Sequence, residues 1–220
     1  PPQVQHSRVP VLFFLAGLTC TEETFMMKAG AQQFASKYGL MLVSMDTSPR
    51  HTDTPGETDH WDFGAGAGFY LDATVAPWSN HYRMESYITS ELNEIIMQQF
   101  PAKKDCVGIF GHSMGGHGAL TLALRHPELY QSASAFAPIS APSRCPWGQK
   151  AFANYLDKNQ DNWREHDTVS LIEDGYCTSE LLIDQGLNDQ FLVEQLNPDL
   201  LEKTCKKAGQ KLTLRYHEGY

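Results

Sequence analysis

Cys106-Val107-Gly108-Ile109-Phe110-Gly111-His112-Ser113-Met114-Gly115 is the stretch on which the fold turns. Its first five residues read as an apolar strand, and a helical pattern runs on from about Met114 to Arg125. Between them stands Gly-x-Ser-x-Gly, which in a strand–turn–helix setting predicts a nucleophile elbow. An elbow holds its serine in a strained backbone conformation. The glycines two residues either side then let neighbouring backbone approach without a Cβ clash. The helix N-terminus adds partial positive charge where an oxyanion would develop. Ser113 is therefore the candidate nucleophile, and the bland alternative is a glycine-rich turn with a capping serine.

Outward from the elbow, apolar runs alternate with helical patterns. Val9 to Ala16 is a continuous apolar run, as suits a parallel strand buried on both faces. A helix opens at Thr21 and runs to about Tyr38, where Gly39 can cap it. Strands are expected at 40–45, 106–110, 132–136, 180–184 and 211–216. Helices are expected at about 83–100 and, with a fresh start at Pro198, at 191–208. In the first of these, Tyr87, Leu92, Ile95 and Ile96 form the core stripe. Residues 46–78 are rich in Gly, Pro, Asp and Thr and read as a long, functional loop region. The alternation predicts an α/β fold with a mostly parallel central sheet flanked by helices.

An oxyanion hole needs two donors. One is the N–H of Met114, after the nucleophile. The other should lie in the loop 16–21, where Leu18 is the choice, although the loop could equally be a plain strand-to-helix turn. The acid should follow a later strand. Asp184 sits within or at the end of a strand, whereas Asp199 and Glu202 belong to a helical surface. Asp189 lies just past the strand's C-terminal end, where α/β sheets place functional groups. It could also serve as an N-cap for 190–192. The chain order of such sites is Ser, acid, His, and after Asp189 only His217 remains.

Seventeen Lys+Arg against 26 Asp+Glu give a net charge of −9. An acidic chain without a basic stripe is a poor nucleic-acid binder, and no apolar run is long enough to span a bilayer. Five cysteines without a C-x-x-C pair argue against a disulfide framework or zinc site and for a reducing, cytoplasmic setting. No metal or cofactor is expected. Gly64-Ala65-Gly66-Ala67-Gly68 lacks nucleotide-loop spacing, and His112 and His117 read as packing or hydrogen-bonding groups. Trp61, Phe69 and Trp78 could line an acyl pocket or simply pack.

Several blocks together resemble the S-formylglutathione hydrolase (esterase D) family. They are 15–21 (LAGLTCT), 46–50 (DTSPR), 61–70 (WDFGAGAGFY), 110–120 (FGHSMGGHGAL), 136–139 (FAPI), 145–148 (CPWG) and 183–191 (IDQGLNDQF). The resemblance runs from near residue 9 to residue 220. It implies an α/β-hydrolase fold and a Ser/Asp/His triad that cleaves S-formylglutathione to glutathione and formate in formaldehyde detoxification. Ser113 and Asp189 fall on the family's nucleophile and acid, Leu18 and Met114 on its oxyanion donors. Cys20 falls on a cysteine near the site, and Trp78 is placed near the site too. Homodimers are common among relatives. Arg50 is the guess for a glutathione contact. There are two departures. His51 stands where relatives often carry Gly. The family's histidine comes two positions after the Glu-Gly-Tyr that ends this sequence, so the base is expected beyond Tyr220 and not at His217. Residues 1–220 are then expected to be one domain cut at both termini, without its first strands and C-terminal helix.

Overall fold

The computed structural model describes residues 1–5 and 7–220. Its strands are Val9–Leu15 (β1), Met41–Ser44 (β2), Ala102–His112 (β3), Ser132–Phe136 (β4), Leu181–Gly186 (β5) and Leu212–His217 (β6). They form one sheet in the order β2-β1-β3-β4-β5-β6, and every neighbouring pair is parallel. From β1 the chain steps outward to β2, then returns to the other side of β1 to lay down β3. The carboxyl ends of β1 and β3 therefore flank a topological switch point, the crevice where open α/β sheets bind ligands.

The helices are Glu22–Lys28 (α1), Ala31–Tyr38 (α2), Met84–Ser86 (α3), Asn93–Gln99 (α4), Met114–Arg125 (α5), Pro146–Tyr155 (α6), Thr168–Glu173 (α7) and Pro198–Ala208 (α8). Two of them correct the sequence reading. The helix expected from Thr21 to Tyr38 is broken at Gly30, whose φ of 59° is left-handed. The 83–100 helix contains a π-helical stretch, Tyr87–Leu92, between α3 and α4. That wider turn advances every later side chain around the axis, so the 3.6-residue stripe fails. Ile88, Ile96 and Met97 are buried, Tyr87 and Leu92 only edge the core, and Ile95 is exposed.

Alternate residues of β1 feed opposite faces of the sheet. Val11, Phe13 and Leu15 join the main core with α5, which packs across β1, β3 and β4. Phe14 points the other way, where Phe25 of α1 stacks on it at 3.8 Å and Phe110 meets both edge-on. This second face is thin beyond β3. Its residues on β4–β6 include Ser132, Phe136, Arg215 and His217, all exposed. Those strands therefore alternate in burial, whereas β1 is buried on both faces over its last three residues. No helix among the described residues is long and apolar enough to cross a membrane.

His51 occupies the left-handed region at φ 56° and is exposed. The resemblance puts glycine there, and the backbone explains why. His51→Gly relieves about 1 kcal/mol of left-handed strain, partly offset by glycine's extra freedom when unfolded. Scanning calorimetry should show a rise in Tm of about 1–2 °C, with no rise for His51→Ala.

Candidate active site

Ser113 has φ 57° and ψ −118°, a conformation that non-glycine residues adopt only under compulsion. Three backbone bonds hold it. Its N–H donates to the Phe136 carbonyl at the end of β4 (2.9 Å). Its carbonyl accepts from His117 (3.0 Å) and Ile139 (3.3 Å). The flanking glycines are obligatory. A Cβ on Gly111 would stand 2.1 Å from the Gly115 carbonyl oxygen, and one on Gly115 would stand 2.0 Å from that of Leu15. The elbow is thus pressed against the end of β1 and against the first turn of its own helix, α5, whose N-terminus lies directly after Ser113.

The loop after β1 comes alongside. A Cβ on Gly17 would lie 3.3 Å from Ser113 Cβ and 3.3 Å from His112 Nδ1. The loop closes by a Cys20 N–H bond to the Gly17 carbonyl at 3.2 Å, with Thr19 left-handed at φ 68°. Leu18 is half-buried against the main core. Among the described residues, neither Leu18 nor Met114 donates its backbone N–H to a protein acceptor outside regular helix bonding. Two donors on two elements are therefore free beside the serine. Cys20 is half-buried with a free thiol.

Neighbouring loops brace this one. Thr19 donates to the Gly66 carbonyl (2.9 Å). The Cys20 carbonyl accepts from Thr47 Oγ1 (2.6 Å) and Arg50 Nη2 (3.1 Å). Arg50 also forks onto Asp46 through Nε (2.7 Å) and Nη2 (2.8 Å). Hydrogen bonding to that carboxylate holds its guanidinium above the ordinary value. The fork is engaged by Asp46 and the Cys20 carbonyl through Nε and Nη2. Trp78 packs in an aromatic cluster. It is buried and meets Phe63, Tyr82 and Tyr155 edge-on at 4.6, 4.8 and 5.4 Å.

Asp189 lies three residues past β5 and is half-buried. Its Oδ1 accepts the Phe191 N–H at 2.8 Å, so the capping reading holds for one oxygen. The other oxygen remains, and the carboxylate is close enough to act on His112. Burial pushes that imidazole below its ordinary value, and the Asp189 charge pulls it partly back. Asp189, His112, Phe136 and Tyr220 share the wall of an open cleft of about 590 Å³. Phe191 beside it packs on Trp147 (4.8 Å), which packs on Trp61 (5.6 Å). This aromatic row was not assembled by sequence reasoning, because its members come from three separate segments.

His217 lines the same cleft but pairs with a different carboxylate. Its Nε2 meets Asp184 Oδ1 at 2.6 Å, and Arg215 Nε binds the same oxygen at 2.8 Å. Burial raises the Asp184 carboxyl, but the bonds from Arg215 and His217 outweigh it and leave it below its ordinary value. Asp184 and Asp189 are therefore differently employed, one engaged by Arg215 and His217 and the other with an oxygen in hand. No cluster of His, Cys, Asp or Glu suited to a metal ion occurs among the described residues.

A strained serine at the switch point of a parallel sheet, between two free N–H donors, defines the class: a serine hydrolase with the α/β-hydrolase fold. The comparisons carry this further. A family model named Esterase matches residues 1–220. The solved S-formylglutathione hydrolase of Agrobacterium tumefaciens is 50% identical with a TM-score of 0.97, over 100% of this chain and 79% of that one. A fluorophosphonate-binding serine hydrolase from Staphylococcus aureus (18% identity, TM-score 0.72, 97% of this chain and 78% of that one) shares the fold. So does an S-formylglutathione hydrolase from the same organism (19%, 0.70, 97% and 77%). The chain belongs to the esterase family, within its S-formylglutathione hydrolase (esterase D) branch.

Proposed function

We propose that the protein hydrolyses S-formylglutathione to glutathione and formate, with Ser113 as nucleophile. The left-handed backbone of Ser113, with Gly17 so close that an added Cβ would stand 3.3 Å from Ser113 Cβ, is the observation that carries the proposal. Ser113 Oγ attacks the formyl carbon while a histidine takes its proton. Leu18 and Met114 N–H groups hold the oxygen as it gains charge. The C–S bond breaks, glutathione leaves as thiolate, and water then releases formate from the formyl-serine. A thiol of pKa ~8.5 leaves with little acid help, so activating serine and water is the histidine's main task. Asp189 orients that histidine. His217 pairs with Asp184 and not with Asp189, which supports the resemblance's placement of the base at a histidine following Tyr220. Tyr220 is well placed to lead there, since its carbonyl accepts the Asn188 N–H at 2.5 Å, one residue from Asp189. A role in formaldehyde detoxification, a cytoplasmic setting and a homodimer accompany this reading.

Two measurements test it. The full-length protein should release glutathione and formate in equal amounts from S-formylglutathione, and far faster than it cleaves p-nitrophenyl acetate. Ester cleavage without thioester preference would make it a general carboxylesterase. A fluorophosphonate should label Ser113 in the full-length protein and not in residues 1–220 alone. Equal labelling of both would return the base to His217.

A further inference from the structure

Phe69 and Tyr70 are consecutive non-glycine residues in the left-handed region, at φ 50° and 54°. Such a pair is costly and persists only where the surroundings impose it. Both side chains are buried, and the helix behind Ser113 imposes the conformation. His117, on the first turn of α5, meets the Phe69 carbonyl through Nε2 at 3.1 Å. A carbonyl only accepts, so Nε2 carries the proton. Burial pushes this imidazole down to about 4, which keeps it neutral and in that tautomer near neutral pH. Gly118, the next residue, has no room for a Cβ, because Tyr70 ring atoms lie 2.6–2.7 Å from where it would stand. The phenol ring therefore rests on the helix backbone itself. Its hydroxyl donates to the Ala16 carbonyl at 2.8 Å, on the residue that opens the Gly17-Leu18 turn. Burial raises the phenol well above its ordinary value, so it remains a donor.

We propose that Tyr70 is a positioning residue for the oxyanion hole: seated on Gly118 and bonded to Ala16, one phenol fixes the Leu18 N–H relative to the Met114 N–H. The inference rests on the roles given above to Ser113, Leu18 and Met114. Those two donors sit on different elements, a loop and a helix, yet both must meet one oxygen at about 2.7–3.1 Å. A misplacement of about 1 Å can cost on the order of 10²-fold in rate. Thr47, Arg50 and Gly66 tie the loop to other loops. Tyr70 ties it to the helix that carries the partner donor.

The test is Tyr70→Phe in the full-length protein, with rates expressed per site titrated by a fluorophosphonate. For S-formylglutathione and for a p-nitrophenyl ester, kcat should fall about 10- to 100-fold with KM within about twofold. The kcat–pH profile should keep its shape, since the base is untouched. A thionoester presents sulfur where the hole is built for oxygen, so its rate should fall by less than about threefold. A merely structural role would lower the oxygen substrates and the thionoester alike or lower only the titrated fraction. A loss on the thionoester equal to that on the oxygen substrates, or a kcat on the latter within about twofold of wild type, would overturn the proposal. Should Tyr70→Phe fail to fold, Gly118→Ala lifts the ring from the helix and should give the same selective loss. Wild-type cleavage of the ester without S-formylglutathione would defeat only the substrate assignment, because the hole serves both.

Discussion

Ser113→Ala should lower kcat for S-formylglutathione on the order of 10⁶-fold, as nucleophile removal does in other serine hydrolases, without lowering the melting temperature. The backbone at 113 is costly whatever L side chain it carries. Its φ of 57° and ψ of −118° represent about 1–3 kcal/mol held by contacts elsewhere. Alanine keeps the Cβ and so keeps the cost. Glycine removes it, and Ser113→Gly should be as inactive but more stable by about 1 kcal/mol, or roughly 2–4 °C, after allowing for glycine's extra freedom when unfolded. The pair of variants separates chemistry from strain. Both lose turnover, and only one gains stability. If Ser113→Ala kept more than about 1% of wild-type kcat, Ser113 would not be the nucleophile. If Ser113→Gly melted lower than wild type, the elbow would be a relaxed turn.

The parts of this protein legible in the sequence are those whose causes are local. The elbow follows from Gly111, Ser113 and Gly115 between an apolar run and a helical run, and α5 and β4 fall at Met114–Arg125 and Ser132–Phe136 as read. What failed depends on partners distant in sequence or on a departure from regular geometry. Gly30 broke a helix that propensity alone would carry through, because its left-handed φ turns the chain between α1 and α2. The π-helical stretch at Tyr87–Leu92 changes the period on which the stripe was counted, exposing Ile95 and burying Met97. The fork of Arg50 onto Asp46, four residues back, is likewise a choice of rotamer that no spacing dictates. Tyr70 stood in a quoted block without a role. Its importance comes from Ala16 and Gly118, 54 and 48 residues away, which only the folded chain brings to one ring.

Asp189→Asn should lower kcat on the order of 10⁴-fold with KM little changed, since an amide in the acid's place leaves the histidine in the wrong tautomer. Asp184→Asn is the control that gives this meaning. The two carboxylates lie five residues apart on either side of the end of β5, and a triad template tolerates only one of them. Asp184 already accepts from Arg215 and His217. Those partners hold its carboxyl below the usual range, so the cluster stabilises the fold above the unfolded pKa and loses that contribution as pH falls through the folded one. Its neutralisation should therefore show as stability. A loss of about 1 kcal/mol is expected, modest because Arg215 and His217 are largely exposed, with kcat within about threefold of wild type. Asp189 has the opposite profile. One oxygen caps Phe191, and losing its charge should move Tm little while removing the orienting acceptor. The reversed outcome is equally informative. If Asp184→Asn were inactive and Asp189→Asn active, the 2.6 Å contact between His217 and Asp184 would be the working acid–base pair. The base would then lie on β6, and Asp189 would be a capping residue and nothing more.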